Sequence, residues 1–200
     1  MIKINQKLDH PLEHKTECLI LACVEEKKPS GTLKKLNDEL AGAISHAFEN
    51  KRFGGKPGQT LLLNSNGKAS NLLLVGIGKS KDVTAEKICQ AAGTAAKLAE
   101  QSNFKSIAAD LSAFEGIAKG KGGFYRELAG AMAEGVGLAL YHFDNYKSRD
   151  EKDGPPSRIE KLTLLTASKS RQASTEKSIA RAEKIIDAVH TARDLSLIHI

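Results

Sequence analysis

Two hundred residues, 40% of them hydrophobic and 27% charged, suffice for one domain with its own core. Aromatics make up 4% and Trp is absent, so that core must come from Leu, Ile, Val and Ala, while a net charge of +6 permits contact with nucleic acid without demanding it. No apolar run nears the roughly 20 residues that cross a bilayer, and the first residues lack a signal-peptide core, so no membrane contact is expected and the cytoplasm is the default location.

Residues 1–24 read as two extended segments. The second, Glu17-Cys-Leu-Ile-Leu-Ala-Cys-Val24, is a continuous apolar run of the kind that is buried on both faces of a sheet. Pro29 and Gly31 break it, and Leu33, Leu36, Leu40, Ile44 and Ala47 then recur at helical spacing, which predicts one helix to about Phe48. Phe53-Gly-Gly-Lys-Pro-Gly58 is a breaker cluster and Thr60–Leu63 a short strand. Asn66-Gly67, suited to positive φ, should close a hairpin onto the next strand. That strand, Asn71-Leu-Leu-Leu-Val-Gly-Ile-Gly78, is again apolar on both faces. Thr84 as a cap, Glu86 in the first turn and the stripe Ile88, Ala91, Ala92, Ala95 and Ala99 predict a helix over 83–101.

Lys105–Leu111 reads as a further strand, Phe114–Gly123 as a loop, and Phe124–Leu140 as a helix. Gly130, Gly135 and Gly137 each cost that helix roughly 1 kcal/mol relative to Ala. Two explanations stay open: close packing against a neighbouring backbone, or a poorly formed helix end. Tyr141–Ser157, ending in Gly154-Pro-Pro156, is a surface loop, Ile159–Ala167 a strand, and Lys169–Leu195 the last helix, with Ile179, Ala182, Ile186 and Val189 on one stripe. From the second strand onward the order βαββαβαβα predicts a three-layer αβα domain around a mixed, mainly parallel sheet.

The chain offers little local chemistry. A Walker A loop needs a Gly separated by four residues from Gly78-Lys79-Ser80, where Leu73 stands, and the third glycine of a dinucleotide fingerprint would fall at Lys81. A tight turn needing small residues accounts for the glycines. Cys18, Cys23 and Cys89 lack metal-type pairing and read as buried free thiols. His10 and His14 are four apart, but no His-Glu-x-x-His helix accompanies them, so they read as solvated loop histidines. Glu25-Glu26 and Asp150-Glu151 read as solvated loop acids, and Asp144, flanked by aromatics, has no partner acid. Lys79, Lys81, Lys119, Lys121, Lys147 and Arg149 are candidate phosphate contacts, set against the plain reading of solvated cations.

Four stretches together resemble the amino-terminal domain of the leucyl, or cytosol, aminopeptidase family. Phe53-Gly-Gly-Lys-Pro-Gly-Gln-Thr-Leu-Leu62 looks like its Gly-Lys-x-Gly segment before a strand, and Leu72-Leu-Leu-Val-Gly-Ile-Gly-Lys79 like its strand and turn. Tyr141-His-Phe-Asp-Asn-Tyr-Lys-Ser148 resembles its Tyr-x-Phe-x-x-Tyr-Lys loop, and Ala192-Arg-Asp-Leu195 the segment that leads into its catalytic domain. The resemblance implies a macro-domain-like fold over 1–168 and a helix over 169–195 linking to a catalytic domain. Ser196-Leu-Ile-His-Ile200 departs from the family pattern and reads as a non-native tail. It further implies a homo-hexameric parent enzyme that releases amino-terminal residues, leucine favoured, with two divalent metals, manganese or zinc. The metal ligands and catalytic residues of that family belong to the second domain, so no catalytic, cofactor or metal residue carries over and the 200-residue chain is expected to be inactive alone. The alternative expectation is a binding module for DNA or an ADP-ribose-like ligand.

Overall fold

The apolar runs become strands because each has two faces to bury. A computed structural model describes residues 2–26, 28–119, 121, 123–143 and 158–198; Asp144, Lys147, Arg149 and the Gly154-Pro-Pro156 stretch lie outside them. The elements are β1 (Lys3–Leu8), β2 (Thr16–Val24), α1 (Gly31–Glu39), α2 (Ala43–Glu49), β3 (Thr60–Asn64), β4 (Ala69–Gly78), a 3-10 turn (Ser80–Asp82), α3 (Ala85–Gln101), β5 (Ser106–Asp110), α4 (Ser112–Ile117), α5 (Phe124–Ala139), β6 (Lys161–Thr166) and α6 (Lys169–Ile198). They build one six-stranded sheet in the order β1-β6-β5-β2-β4-β3. Every pairing is parallel except that of β3 with β4, which is the expected antiparallel hairpin.

Along β2, Cys18, Ile20 and Ala22 join the core under α3, α5 and α6, while Leu19, Leu21 and Cys23 join the one under α1 and α2. β4 divides likewise, with Leu73, Val75 and Ile77 on the first side and Leu72 and Leu74 on the second. Period-two geometry thus turns an unbroken apolar run into contributions to two helical layers. The three-layer αβα architecture around a mixed, mainly parallel sheet is the one expected.

Four local expectations need correction. The helix foreseen over 33–48 is two, because Ala41 and Gly42 adopt φ of 49° and 84°, which ends α1 and redirects the chain. Phe114–Gly123 is not all loop: α4 forms at its start, driven by burial of Phe114 and Ile117. The β3–β4 turn does without positive φ at Asn66 or Gly67; Gly67 N–H instead donates to Ser65 Oγ at 3.1 Å. His14 is not solvated but 8% exposed, its ring 2.9 Å from Asp9 Oδ2.

The glycines of α5 resolve the open alternative. A Cβ on Gly135 would run into the backbone of Cys89 in α3, and one on Gly137 into Ile186 of α6, so α5 is clasped between two helices at close range. The alanines of α3 allow the same approach from the other side: Ala91, Ala92, Ala95, Ala96 and Ala99 are all buried. Thr84 Oγ1 accepts from Lys87 N–H at 3.3 Å and caps α3 as expected. On α6, Ile179, Ala182 and Ile186 enter the same core, so this helix forms part of the layer.

Candidate ligand-binding crevice at the carboxyl edge of the sheet

β2 and β5 are neighbours, yet their connections leave in opposite directions. β2 runs on through α1, α2 and β3 to β4 on one side, and β5 runs through α4 and α5 to β6 on the other. Such a switch point opens a crevice outside the carboxyl ends of the two strands. A cavity of about 400 Å³ lies there, walled by Leu21–Val24 at the end of β2, Ser30–Leu33 at the start of α1, Ser80, Asp110 at the end of β5, and α4.

The glycine turn beside it is spoken for. Gly76 N–H donates to Gln59 O and Gly78 N–H to Gly55 O, both at 2.9 Å, so the 54–59 segment runs along β4. A Cβ on Gly76 would strike the Lys56 carbonyl, and one on Gly55 the Val24 carbonyl. These glycines admit the chain's own backbone, in agreement with the tight-turn reading.

Asp110 is 4% exposed. Its Oδ1 accepts from Ser112 N–H at 2.8 Å and its Oδ2 from Ser112 Oγ–H at 2.7 Å. Burial pushes its carboxyl above the usual range, against the pull of the Ser112 bonds and of nearby His10. Cys23, also in the wall, is 2% exposed; burial drives its thiol pKa up, and its Sγ donates to Leu21 O at 3.3 Å. Such a shift disfavours the thiolate that a nucleophile needs. At the start of α1, Ser30 makes no side-chain cap and the first turn holds no acid.

The predicted phosphate contacts divide. Lys79 and Lys81 flank the crevice residue Ser80 beyond β4, and Lys119 and Lys121 follow α4; all four are exposed and none lines the crevice. Lys121 Nζ also sits 4.9 Å from the Phe124 ring centroid. Lys147 and Arg149 lie outside the described residues. Asp110 and Ser112 escaped the sequence reading; the signal was an acid at a strand's carboxyl end with a serine two residues on, a short side-chain turn.

Far from the crevice, Tyr141 Oη donates to Asp194 Oδ1 at 2.6 Å, and the Arg193 guanidinium lies 5.2 Å from the Tyr141 ring and donates to Leu138 O at 3.0 Å. Two of the stretches that carried the resemblance are therefore fastened to each other, as the other two are through the Gly55–Gly78 contacts. Among the described residues, no three His, Cys, Asp or Glu side chains come together as a metal site would require. Among them too, no helix is long and apolar enough to cross a membrane.

Residues 20–150 match the model of the cytosol aminopeptidase family, N-terminal domain. The chain belongs to the cytosol aminopeptidase family. It is 32% identical over 197 residues to the probable cytosol aminopeptidase of Geobacter sp., covering 97% of this chain and 38% of that protein. Against the cytosol aminopeptidase of Pseudomonas aeruginosa it is 35% identical over 184 residues, or 90% of this chain and 35% of the relative. The chain thus spans little more than a third of the length of these relatives. Among solved structures, a tomato leucine aminopeptidase mutant superposes with a TM-score of 0.79 at 24% identity, over 98% of this chain and 38% of that one. The Trypanosoma brucei macrodomain in complex with ADP gives 0.59 at 11% identity, over 88% and 67% of the two chains. At these identities the structures share the fold alone, and that fold is the macro-domain-like one expected.

Proposed function

We propose that this chain is the amino-terminal, non-catalytic domain of a cytoplasmic, homo-hexameric aminopeptidase. The parent enzyme would release amino-terminal residues, leucine favoured, from peptides bound in its second domain, using two divalent metals, manganese or zinc, held there. The observation that carries this reading is the match to the family's N-terminal-domain model together with coverage of only 38% of a relative's length. The test is hydrolysis of a leucine anilide by the purified 200-residue chain with added manganese or zinc. No turnover is expected, and turnover that a chelator abolishes refutes the non-catalytic assignment.

A second reading, favoured by the exposed pairs Lys79/Lys81 and Lys119/Lys121, is a binding module for DNA, or for an ADP-ribose-like ligand. Lys79, Lys81, Lys119 and Lys121 would meet phosphates, and affinity would then fall steeply with salt. A gel-shift titration across ionic strengths decides: flat, negligible binding removes DNA. Saturable binding of ADP-ribose would support the other ligand.

A further inference from the structure

We infer that the crevice at the β2/β5 switch point binds a free amino acid with an aliphatic side chain. This goes beyond the peptidase reading and does not depend on it, because it rests on the wall chemistry of this chain alone. The cavity falls within the range of small-molecule pockets, about 300–1,000 Å³. It stands where an open α/β sheet places its ligands.

Its walls select by charge. Asp110 and Glu26 contribute carboxylates, and among the described residues no Lys or Arg lines it. A diphosphate seated inside would meet these two acids, whereas an ammonium would meet acceptors. A carboxylate offers about four acceptor positions, and Ser112 engages Asp110 at two of them, which orients the group and leaves capacity for a donor. The same cavity receives the first turn of α1, whose N-terminus carries neither a side-chain cap nor an acid. Backbone N–H groups of that kind take a carboxylate. Leu21, Leu33 and Ile117 supply apolar wall between the polar groups. An ammonium, a carboxylate and an aliphatic body on one small molecule describe an α-amino acid.

The test is an amide chemical-shift titration of the isotope-labelled 200-residue chain with L-leucine, leucinamide, 4-methylpentanoate and ADP-ribose. Leucine should saturate, moving the amides of Gly31–Leu33 and Asp110–Ile117. Leucinamide lacks the carboxylate and 4-methylpentanoate the ammonium, so each should bind roughly tenfold or more weakly, the loss of one charge-assisted hydrogen-bonded group. Asp110→Asn should weaken leucine by a similar factor. Gly116→Leu is the second variant: a Cβ at Gly116 meets no atom within 4 Å, so the fold tolerates it while the larger side chain fills the crevice and abolishes binding. The inference is overturned if leucine does not saturate, if its shifts map elsewhere, if leucinamide binds as tightly, or if ADP-ribose occupies the crevice and leucine does not. Unchanged leucine affinity in a folded Gly116→Leu chain overturns it as well.

Discussion

Gly135→Ala tests whether α5 is held at close range by its neighbours. In an isolated helix the change stabilises by about 1 kcal/mol. Here the new Cβ would run into the Cys89 backbone, 2.9 Å from its carbonyl carbon and 2.9 Å from Ala92 Cβ. Carbon atoms pack comfortably at about 3.5–4.0 Å, so α3 and α5 must part by roughly 1 Å, which forfeits up to about half of the dispersion energy at that seam. No rotamer relieves a clash with a carbonyl, so the overpacking cost lies near the upper end of about 1–3 kcal/mol, and the net change is a loss of about 2 kcal/mol. Gly130→Ala is the control on the same helix. Its Cβ would lie 3.7 Å from Ser178 Cβ, an ordinary contact, so the propensity gain of about 1 kcal/mol should survive. The variants should differ by about 3 kcal/mol in urea unfolding, or by about 6–12 °C in melting temperature for a chain of this size. If Gly135→Ala is as stable as the parent, the close-packing explanation fails.

Thr84→Ala removes the α3 cap and should lower stability by about 1 kcal/mol in the same urea assay; no loss would mean water caps the helix equally well. Lys7, then His14, hold the Asp9 carboxyl below the usual aspartate value of 3.8, so its stabilisation is present above that value and is lost as pH falls through the folded one. Urea midpoints of Asp9→Asn and the parent should therefore differ at pH 7 and converge in acid below 3.8; a constant offset refutes the assignment. Asp110 has the opposite sign: its raised pKa makes the folded state favour the protonated form, so its contribution is full below 3.8 and is lost as pH rises through the folded value. The stability of Asp110→Asn relative to the parent should accordingly climb with pH over that window, and a difference independent of pH would refute burial as the cause. Cys18 and Cys23 are buried as expected, with the Cys18 thiol pushed up to about 12, whereas Cys89, on α3, is only half-buried. A thiol reagent on the native chain should label Cys89 alone and reach all three in denaturant; labelling of Cys23 without unfolding would contradict the packed crevice wall.

The fold was legible because its signals are periodic. Continuous apolar runs at 17–24 and 71–78 had to be strands with two covered faces, and an alanine stripe at helical spacing had to face something close. What escaped was set by single backbone angles and by burial. Leu36, Leu40 and Ile44 keep helical spacing across the α1–α2 break, so periodicity runs straight over a corner made by Ala41 and Gly42 in the left-handed region. α4 is a short helix whose formation depends on seating Phe114 and Ile117 in a core assembled from other parts of the chain. His14 reads as polar in any window, and its pairing with Asp9, five residues away, offsets the cost of its burial.

The crevice was illegible for a stronger reason. Its walls come from residues near 21–33, 80 and 110–117, joined only because β2 and β5 pair while their connections diverge. The stretches that carried the family resemblance have another task. Gly55 and Gly76 let two backbones touch, and Tyr141 binds Asp194, so these motifs hold the scaffold together in contacting pairs. Recognition and site thus fall on different residues: motifs that identify the domain mark places where only one packing works. Asp110, buried and oriented by Ser112, marks the place where a charged group is kept at a burial cost, and a crevice around such a group is the feature that packing alone does not explain.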